Sequence, residues 1–237
     1  MGLGDLSTHL GDKLRLENPP VALAYVIKPP AGVPLWSGSS VPSACTFWRR
    51  AEREVFFATA EHHMNCPIGA MTCGFPLTPV AESTLASLID QMTGCGYLEP
   101  AEPLQLPTIT REKAGVLYGP LAEFPVQPDL ILLWADARQA MLIEELTGNA
   151  RWDRTSGNNA FGRPTCAALP VALDEGRAVL SLGCAGMRTF TGISDAKMLA
   201  VLPGAQAATL EASMERALNA NTAVQEIYDE MKASHPG

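Results

Sequence analysis

The sequence has few basic residues, few aromatic residues and no long apolar run. Its 237 residues include 17 Lys and Arg against 25 Asp and Glu, and the net charge is −8. Because Lys and Arg bind the phosphate backbone, this balance predicts no nucleic-acid partner. No stretch approaches the roughly 18 consecutive apolar residues that a membrane span needs, so we also expect no membrane association.

Several motifs of common enzyme classes are missing. The sequence contains no G-x-G-x-x-G after a predicted strand, no Walker A loop, no H-E-x-x-H and no G-x-S-x-G, which argues against nicotinamide, phosphoryl-transfer and triad chemistry. The first ten residues show no charged leader followed by an apolar core, so we expect no signal peptide and a cytoplasmic location. In that reducing compartment, the six cysteines predict metal or catalytic chemistry before disulfides.

The composition is that of an ordinary globular protein, with 47% apolar and 18% charged residues. Leu3, Leu6 and Leu10 have helical spacing, whereas Val21 to Ile27 is a short apolar run typical of a buried strand. Such strands and helices alternate along the chain, which predicts an α/β fold, with α+β as the alternative, in a single domain over 1–237. Further strands are predicted at 55–57, 116–118, 129–134, 179–182 and 198–202. Helices are predicted near 45–53, 78–94 and 136–147, and two more end the chain, the last over 221–233. Loops are predicted at 28–42, 61–77 and 149–165.

An internal repeat organises four of the cysteines. Cys45 and Cys66 are separated by 20 residues, and Cys166 and Cys184 by 17. Each pair follows an apolar strand and encloses a short helix and a second strand, and each second cysteine opens a glycine-bearing turn, C-P-I-G or C-A-G-M. We therefore predict two pseudo-symmetric strand–helix–strand halves, at about 17–126 and 127–220.

A two-fold axis between such halves would bring the four cysteines together. Four thiolates around one point suit a cysteine-ligated iron–sulfur cluster, most simply a 4Fe-4S cluster, or a tetrahedral zinc ion. Glycine in each turn allows the backbone to approach and donate hydrogen bonds to sulfur. The alternative is that several of these cysteines are buried small apolar residues. Cys73 and Cys95 have no counterpart in the other half, and we assign them no role.

Histidine, arginine and asparagine side chains near the cysteines are candidates for chemistry on a bound molecule. His62 and His63 precede Cys66, and histidine near a metal ligates it or moves protons at neutral pH. Arg188 follows Cys184, and an arginine here suits an anionic substrate group. We thus predict His63 and Arg188 as catalytic residues. The predicted substrate-binding residues are Arg163, Asn159 and His62. For each of them, an ordinary surface residue is the alternative.

At this point the motifs resemble a known family. P-P-V-A-L-A-Y, C-T-F-W-R, H-M-N-C-P-I-G, F-G-R-P-T-C-A-A-L-P and S-L-G-C-A-G-M-R-T-F are similar to segments of the ArCR family, domain of unknown function 169. The resemblance implies that the four paired cysteines are the family's recurrent cysteines, with Arg188 and His63 in its accompanying motifs. Many members carry a further cysteine where this chain has Met187, and some carry histidine in place of Cys73. The family implies no activity.

We therefore expect a metal-dependent protein, with an iron–sulfur oxidoreductase or lyase acting on a small molecule as the leading hypothesis. A haem protein in which Cys66 or His63 ligates the iron is the first alternative. A non-enzymatic module with structural zinc, as a sensor or assembly factor, is the second. Two disulfides, Cys45–Cys66 and Cys166–Cys184, form a third. A homodimer or a redox partner would be compatible with each.

Overall fold

A computed structural model describes residues 2–98, 106–152 and 164–235. It has a seven-stranded sheet with helices on both faces, which confirms the predicted α/β class. The strands are β1 (Val21–Val26), β2 (Phe56–Thr59), β3 (Gly115–Pro120), β4 (Leu130–Ala135), β5 (Arg151–Trp152), β6 (Val179–Ser181) and β7 (Met198–Pro203). The helices are α1 (Leu3–Leu14), α2 (Thr46–Arg50), α3 (Ala60–His63), α4 (Pro67–Thr72), α5 (Pro79–Gly94), α6 (Ala137–Thr147), α7 (Ala168–Glu175), α8 (Ala185–Thr191) and α9 (Ala207–Ser234).

The strands lie in the order β2-β3-β1-β4-β7-β6-β5. All neighbouring pairs are antiparallel except β5 and β6. Strands of both predicted halves share this sheet: β1 and β4 are central, β3 and β7 flank them, and β2 and β6 lie outside those. The order is the one that two related halves would produce about an axis between β1 and β4. The repeat itself stays a prediction.

The sheet separates two apolar cores. One face packs against α1, α6 and α9 through residues such as Leu10, Ile143 and Leu210. The other face packs against the short helices α2, α4, α7 and α8. This core contains Phe47, Cys45 and Cys166, and the partly buried Cys66 and Cys184 pack against it. Alternate residues of each strand face opposite cores, as the period of two requires. Every helix that follows a paired cysteine therefore lies on one side of the sheet.

Helix boundaries are accurate where the sequence carries a cap. Thr78 accepts a hydrogen bond from the Ala81 amide at 3.3 Å and Pro79 occupies the first turn, as predicted for α5. Asp136 accepts a bond from the Gln139 amide at 2.8 Å, and Gly148 ends α6 with φ 66°. This positive φ favours glycine, which has no Cβ.

Four predictions of secondary structure are wrong. The segment 61–77 is not a loop, because Pro67 occupies the first turn of α4, where proline fixes a helical φ and loses no hydrogen bond. The turn after Cys184 is also helical, as α8. The two C-terminal helices are one helix of 28 residues, which no Pro or Gly interrupts. The first short helix ends at Arg50 and does not reach Arg53.

The predicted loop at 149–165 contains β5 at its start, and 153–163 lies outside the described residues. Within the part of the chain that is described, no helix is long and apolar enough to span a membrane.

Candidate functional site

A cavity of about 800 Å³ opens on the face of the sheet that carries the short helices. All four paired cysteines line it: Cys45, Cys66, Cys166 and Cys184. Cys45 and Cys184 are more than 100 residues apart in the sequence, so only the tertiary fold brings the four cysteines together. The structure therefore places the four cysteines in one cavity lining, whereas the repeat and the metal ligation stay predictions.

Helix starts position three of the four cysteines. Cys45, Cys66 and Cys184 are the N-cap residues of α2, α4 and α8, and Cys166 lies in the single 3-10 turn that precedes α7. The two predicted halves contact each other at the cavity, because α2 packs against α8 and the turn at Cys166 packs against α4. Each of these contacts joins an element at the first cysteine of one predicted half to an element at the second cysteine of the other.

Backbone and hydroxyl groups hold the cysteines in place. The fully buried Thr165 accepts a hydrogen bond from the Cys184 amide at 2.8 Å, and the Cys184 sulfur accepts one from the Met187 amide at 3.4 Å. Gly69 lies against the Cys66 sulfur, since a Cβ built there would be 3.2 Å from Sγ and 2.7 Å from the Cβ of Ala44. A larger residue at this position would displace the cysteine.

The cysteines lie in a poorly solvated environment. Burial raises the pKa of the Cys45 and Cys166 thiols well above 9, and the negative charges of the neighbouring cysteines would raise it further. Burial also raises the pKa of Cys66, although the backbone N–H groups of Ala44 and Gly69 partly offset this effect. Without a bound cation these three groups are therefore neutral thiols at pH 7.

Helix α5 forms the opposite wall of the cavity, and the sequence interpretation assigned it no role. Residues of its exposed side line the cavity, namely Ser83, Thr84, Ser87, Leu88, Gln91, Met92 and, just after the helix, Cys95 and Tyr97. Leu88 and Met92 have the helical spacing of an apolar face with Leu85, but only Ala81 and Leu85 of α5 are buried. Small polar residues at helical spacing beside apolar ones were the available signal.

Cys95 is a fifth cysteine at this cavity. It is exposed, and its thiol donates to the Met92 carbonyl oxygen at 3.3 Å. Cys73, in contrast, lies in the core outside the cavity lining, where burial raises its pKa to about 12. All six cysteines are free thiols, so neither of the two disulfides considered above is present.

His63 is buried in the core and does not line the cavity. Its Nδ1 donates to the Thr59 carbonyl oxygen at 2.7 Å, and its Nε2 accepts from the Tyr118 hydroxyl at 2.9 Å. The ring packs among Phe47 and Phe75. Burial lowers its pKa to about 4. With both nitrogens engaged, the geometry favours a structural role over the predicted proton transfer or haem ligation.

The other described candidates also lie apart from the cavity lining. His62 belongs to the N-terminal cap of α3, where its Nδ1 accepts from the Thr59 amide at 3.0 Å. Arg188 binds backbone carbonyls of the Leu182, Lys197 and Ser194 residues at 2.6, 3.1 and 3.3 Å. It thereby ties the turn before α8 to the segment before β7. The predicted Arg163 and Asn159 lie outside the described residues.

Comparison with known proteins identifies one relationship. A family model described as uncharacterised ArCR, domain of unknown function 169, matches residues 9–213. The match covers all four paired cysteines and both walls of the cavity. Neither a curated protein nor a solved structure matches the chain.

Proposed function

The chain belongs to the uncharacterised ArCR family, and we propose that within this fold it is an iron–sulfur protein. Cys45, Cys66, Cys166 and Cys184 would hold a 4Fe-4S cluster at the base of the cavity. The observation that carries the proposal is that these four thiols, two from each half of the chain, line a single cavity. Iron–sulfur clusters are held by four cysteine thiolates in this way.

The distribution of the four thiols over the cavity lining is one reason to propose a cluster and not a single zinc ion. Zinc–sulfur bonds of about 2.3 Å place the sulfurs of a tetrahedral site about 3.8 Å apart. Among the described residues, no three His, Cys, Asp or Glu side chains are close enough to hold one metal ion. A cluster is several ångströms across and accepts cysteines around a larger perimeter, which suits thiols distributed over the lining of a cavity of about 800 Å³.

The environment of the thiols also fits a cationic group. Neutral buried thiols must lose protons to become ligands, and the positive charge of iron supplies the stabilisation that burial removes. Backbone amides lie near two of the sulfurs: those of Ala44 and Gly69 near Cys66, and that of Met187 near Cys184. Such amide donors typically stabilise cluster sulfurs.

When bound, the cluster would supply one-electron transfer to or from a small molecule in the cavity, which would make the protein an oxidoreductase with a redox partner. In this proposal the described residues provide ligation and exclude water. Arg188 holds the backbone on both sides of α8 and so positions Cys184 without touching the cavity. His63 orders the core beneath α3 through its bonds to Thr59 and Tyr118.

The test is anaerobic purification followed by iron, zinc and acid-labile sulfide analysis and by absorption spectroscopy. We expect about four iron and four sulfide per chain after anaerobic reconstitution. Serine substitution of Cys45, Cys66, Cys166 or Cys184 should each lower both contents. Cys95→Ser is the matched control, because Cys95 lines the same cavity but is not a proposed ligand.

Four results would contradict this assignment. A reconstituted protein without iron and sulfide would reject the cluster, and zinc in stoichiometric amount would support the structural-zinc alternative. A sharp Soret band would support haem with Cys66 as the ligand. If Cys95→Ser removed iron as completely as Cys66→Ser, the ligand set would be wrong.

A further inference from the structure

The lining of the cysteine cavity contains no charged side chain among the residues that the structure describes. Its apolar part includes proline, aliphatic, methionine and aromatic side chains, among them Pro42, Ile68, Leu88, Met92, Met187 and Phe190. Its polar part, apart from the cysteines, consists of hydroxyl and amide groups. The volume of about 800 Å³ lies within the range of small-molecule sites.

The polar groups are concentrated on α5. Ser83, Thr84, Ser87 and Gln91 face the cysteines from this helix, and the Gln91 amide donates to the Ser87 hydroxyl at 3.2 Å. Thr84 donates to the Val80 carbonyl oxygen at 2.9 Å. Small hydroxyl side chains leave the cavity open and offer hydrogen bonds without offering charge.

An ionic group in this cavity would lose its hydration without gaining a partner. A buried charge that is neither paired nor hydrogen-bonded is strongly disfavoured. The described lining offers hydroxyl, amide and thiol groups but no cationic side chain that could pair with an anion. The described lining therefore selects against an anionic ligand.

We propose that the cavity binds an uncharged, largely apolar small molecule, with its apolar part against Leu88, Met92 and Phe190 and a hydrogen-bonding group toward the hydroxyls of α5. The inference rests on the proposed function in one respect, namely that the bound molecule is the substrate on which the cluster acts. Arg188 has no part in binding it, because its guanidinium is engaged with backbone carbonyls outside the cavity.

Three probes of similar shape and different charge test this proposal: benzamide, benzoate and benzylamine. Their binding is measured by ligand-observed NMR on the full chain, under anaerobic and reducing conditions, with and without reconstitution of the cluster. We expect benzamide to bind at least tenfold more tightly than benzoate in both forms, and more tightly than benzylamine in the cluster-free form.

Two matched variants on α5 localise the binding. Ser87→Trp fills the cavity and should abolish benzamide binding, whereas Val80→Trp adds the same side chain at an exposed position of the helix outside the cavity lining and should leave it unchanged. Iron and sulfide contents of both variants are measured in parallel. They distinguish a blocked cavity from a lost cluster.

The outcomes separate the two proposals. Equal or tighter binding of benzoate, no binding of any probe up to millimolar concentration, or unchanged binding in Ser87→Trp would each overturn the ligand class. Selective benzamide binding by a chain that never incorporates iron would keep the ligand class and reject the cluster.

Discussion

The burial of His63 makes a strong prediction about acid sensitivity. Burial holds the pKa of this histidine near 4 in the folded protein, against 6.5 in an unfolded chain. Below pH 6.5 His63 therefore binds a proton in the unfolded chain but not in the folded protein. As a result, the free energy of unfolding falls as the pH falls toward 4. The difference of about 2.5 pH units corresponds to about 3 kcal/mol at most.

The measurement is urea-induced unfolding, followed by tryptophan fluorescence at pH 7.5, 6.5, 5.5 and 4.5, for the unsubstituted protein and His63→Gln. Glutamine retains a donor and an acceptor but does not titrate. The variant should be less stable at pH 7.5 and should lose less stability on acidification. We expect the difference between the two proteins to shrink by about 3 kcal/mol between pH 7.5 and 4.5.

The comparison is specific because the other titrating groups are common to both proteins. Carboxylates contribute to acid unfolding in each, so they cancel in the difference between the two curves. Parallel curves over this pH range would refute the assignment of His63 as a neutral, buried residue. A difference that grows on acidification would indicate a protonated His63 with a favourable partner.

The remaining predictions concern the supports of the cysteines. Gly69→Ala places a Cβ 2.7 Å from that of Ala44, so we expect a loss of about 1–3 kcal/mol in unfolding free energy and a lower iron content. Gly94→Ala is the control, because a Cβ there meets nothing within 4 Å, and it should lower neither quantity. Equal losses in the two variants would contradict this account. Arg188→Lys keeps the charge but cannot reproduce the fork that reaches three carbonyls. It should cost about 2 kcal/mol by urea unfolding and leave benzamide binding to the folded protein unchanged; loss of binding in the folded variant would instead place Arg188 at the site.

Local signals in the sequence were sufficient for elements that begin and end with recognisable chemistry. The leucine spacing of α1 and the cap residues of α5 and α6 act within a few residues of one another, so the sequence pattern contains the information that determines them. The helices α4 and α8 were missed because Cys66 and Cys184 are unusual N-cap residues and because proline and glycine were interpreted as ending helices.

The candidate site shows a similar division. The sequence alone pointed to Cys45, Cys66, Cys166 and Cys184, because the two pairs have similar spacing and similar surroundings along the chain. It could not show that His63 lies in the core and that Arg188 is bound to backbone carbonyls, because both facts depend on groups distant in sequence or on the path of the backbone.

The sequence by itself determined the α/β class and most of the strands, and it identified four cysteines that line one cavity. Only the tertiary structure decided what those cysteines face. The wall opposite them is α5. The apolar residues of this helix have the spacing of core residues, but a sequence pattern does not show whether a neighbouring element covers them. Here Leu88 and Met92 line the cavity opposite the cysteines, and this arrangement turns a set of paired cysteines into a candidate binding site.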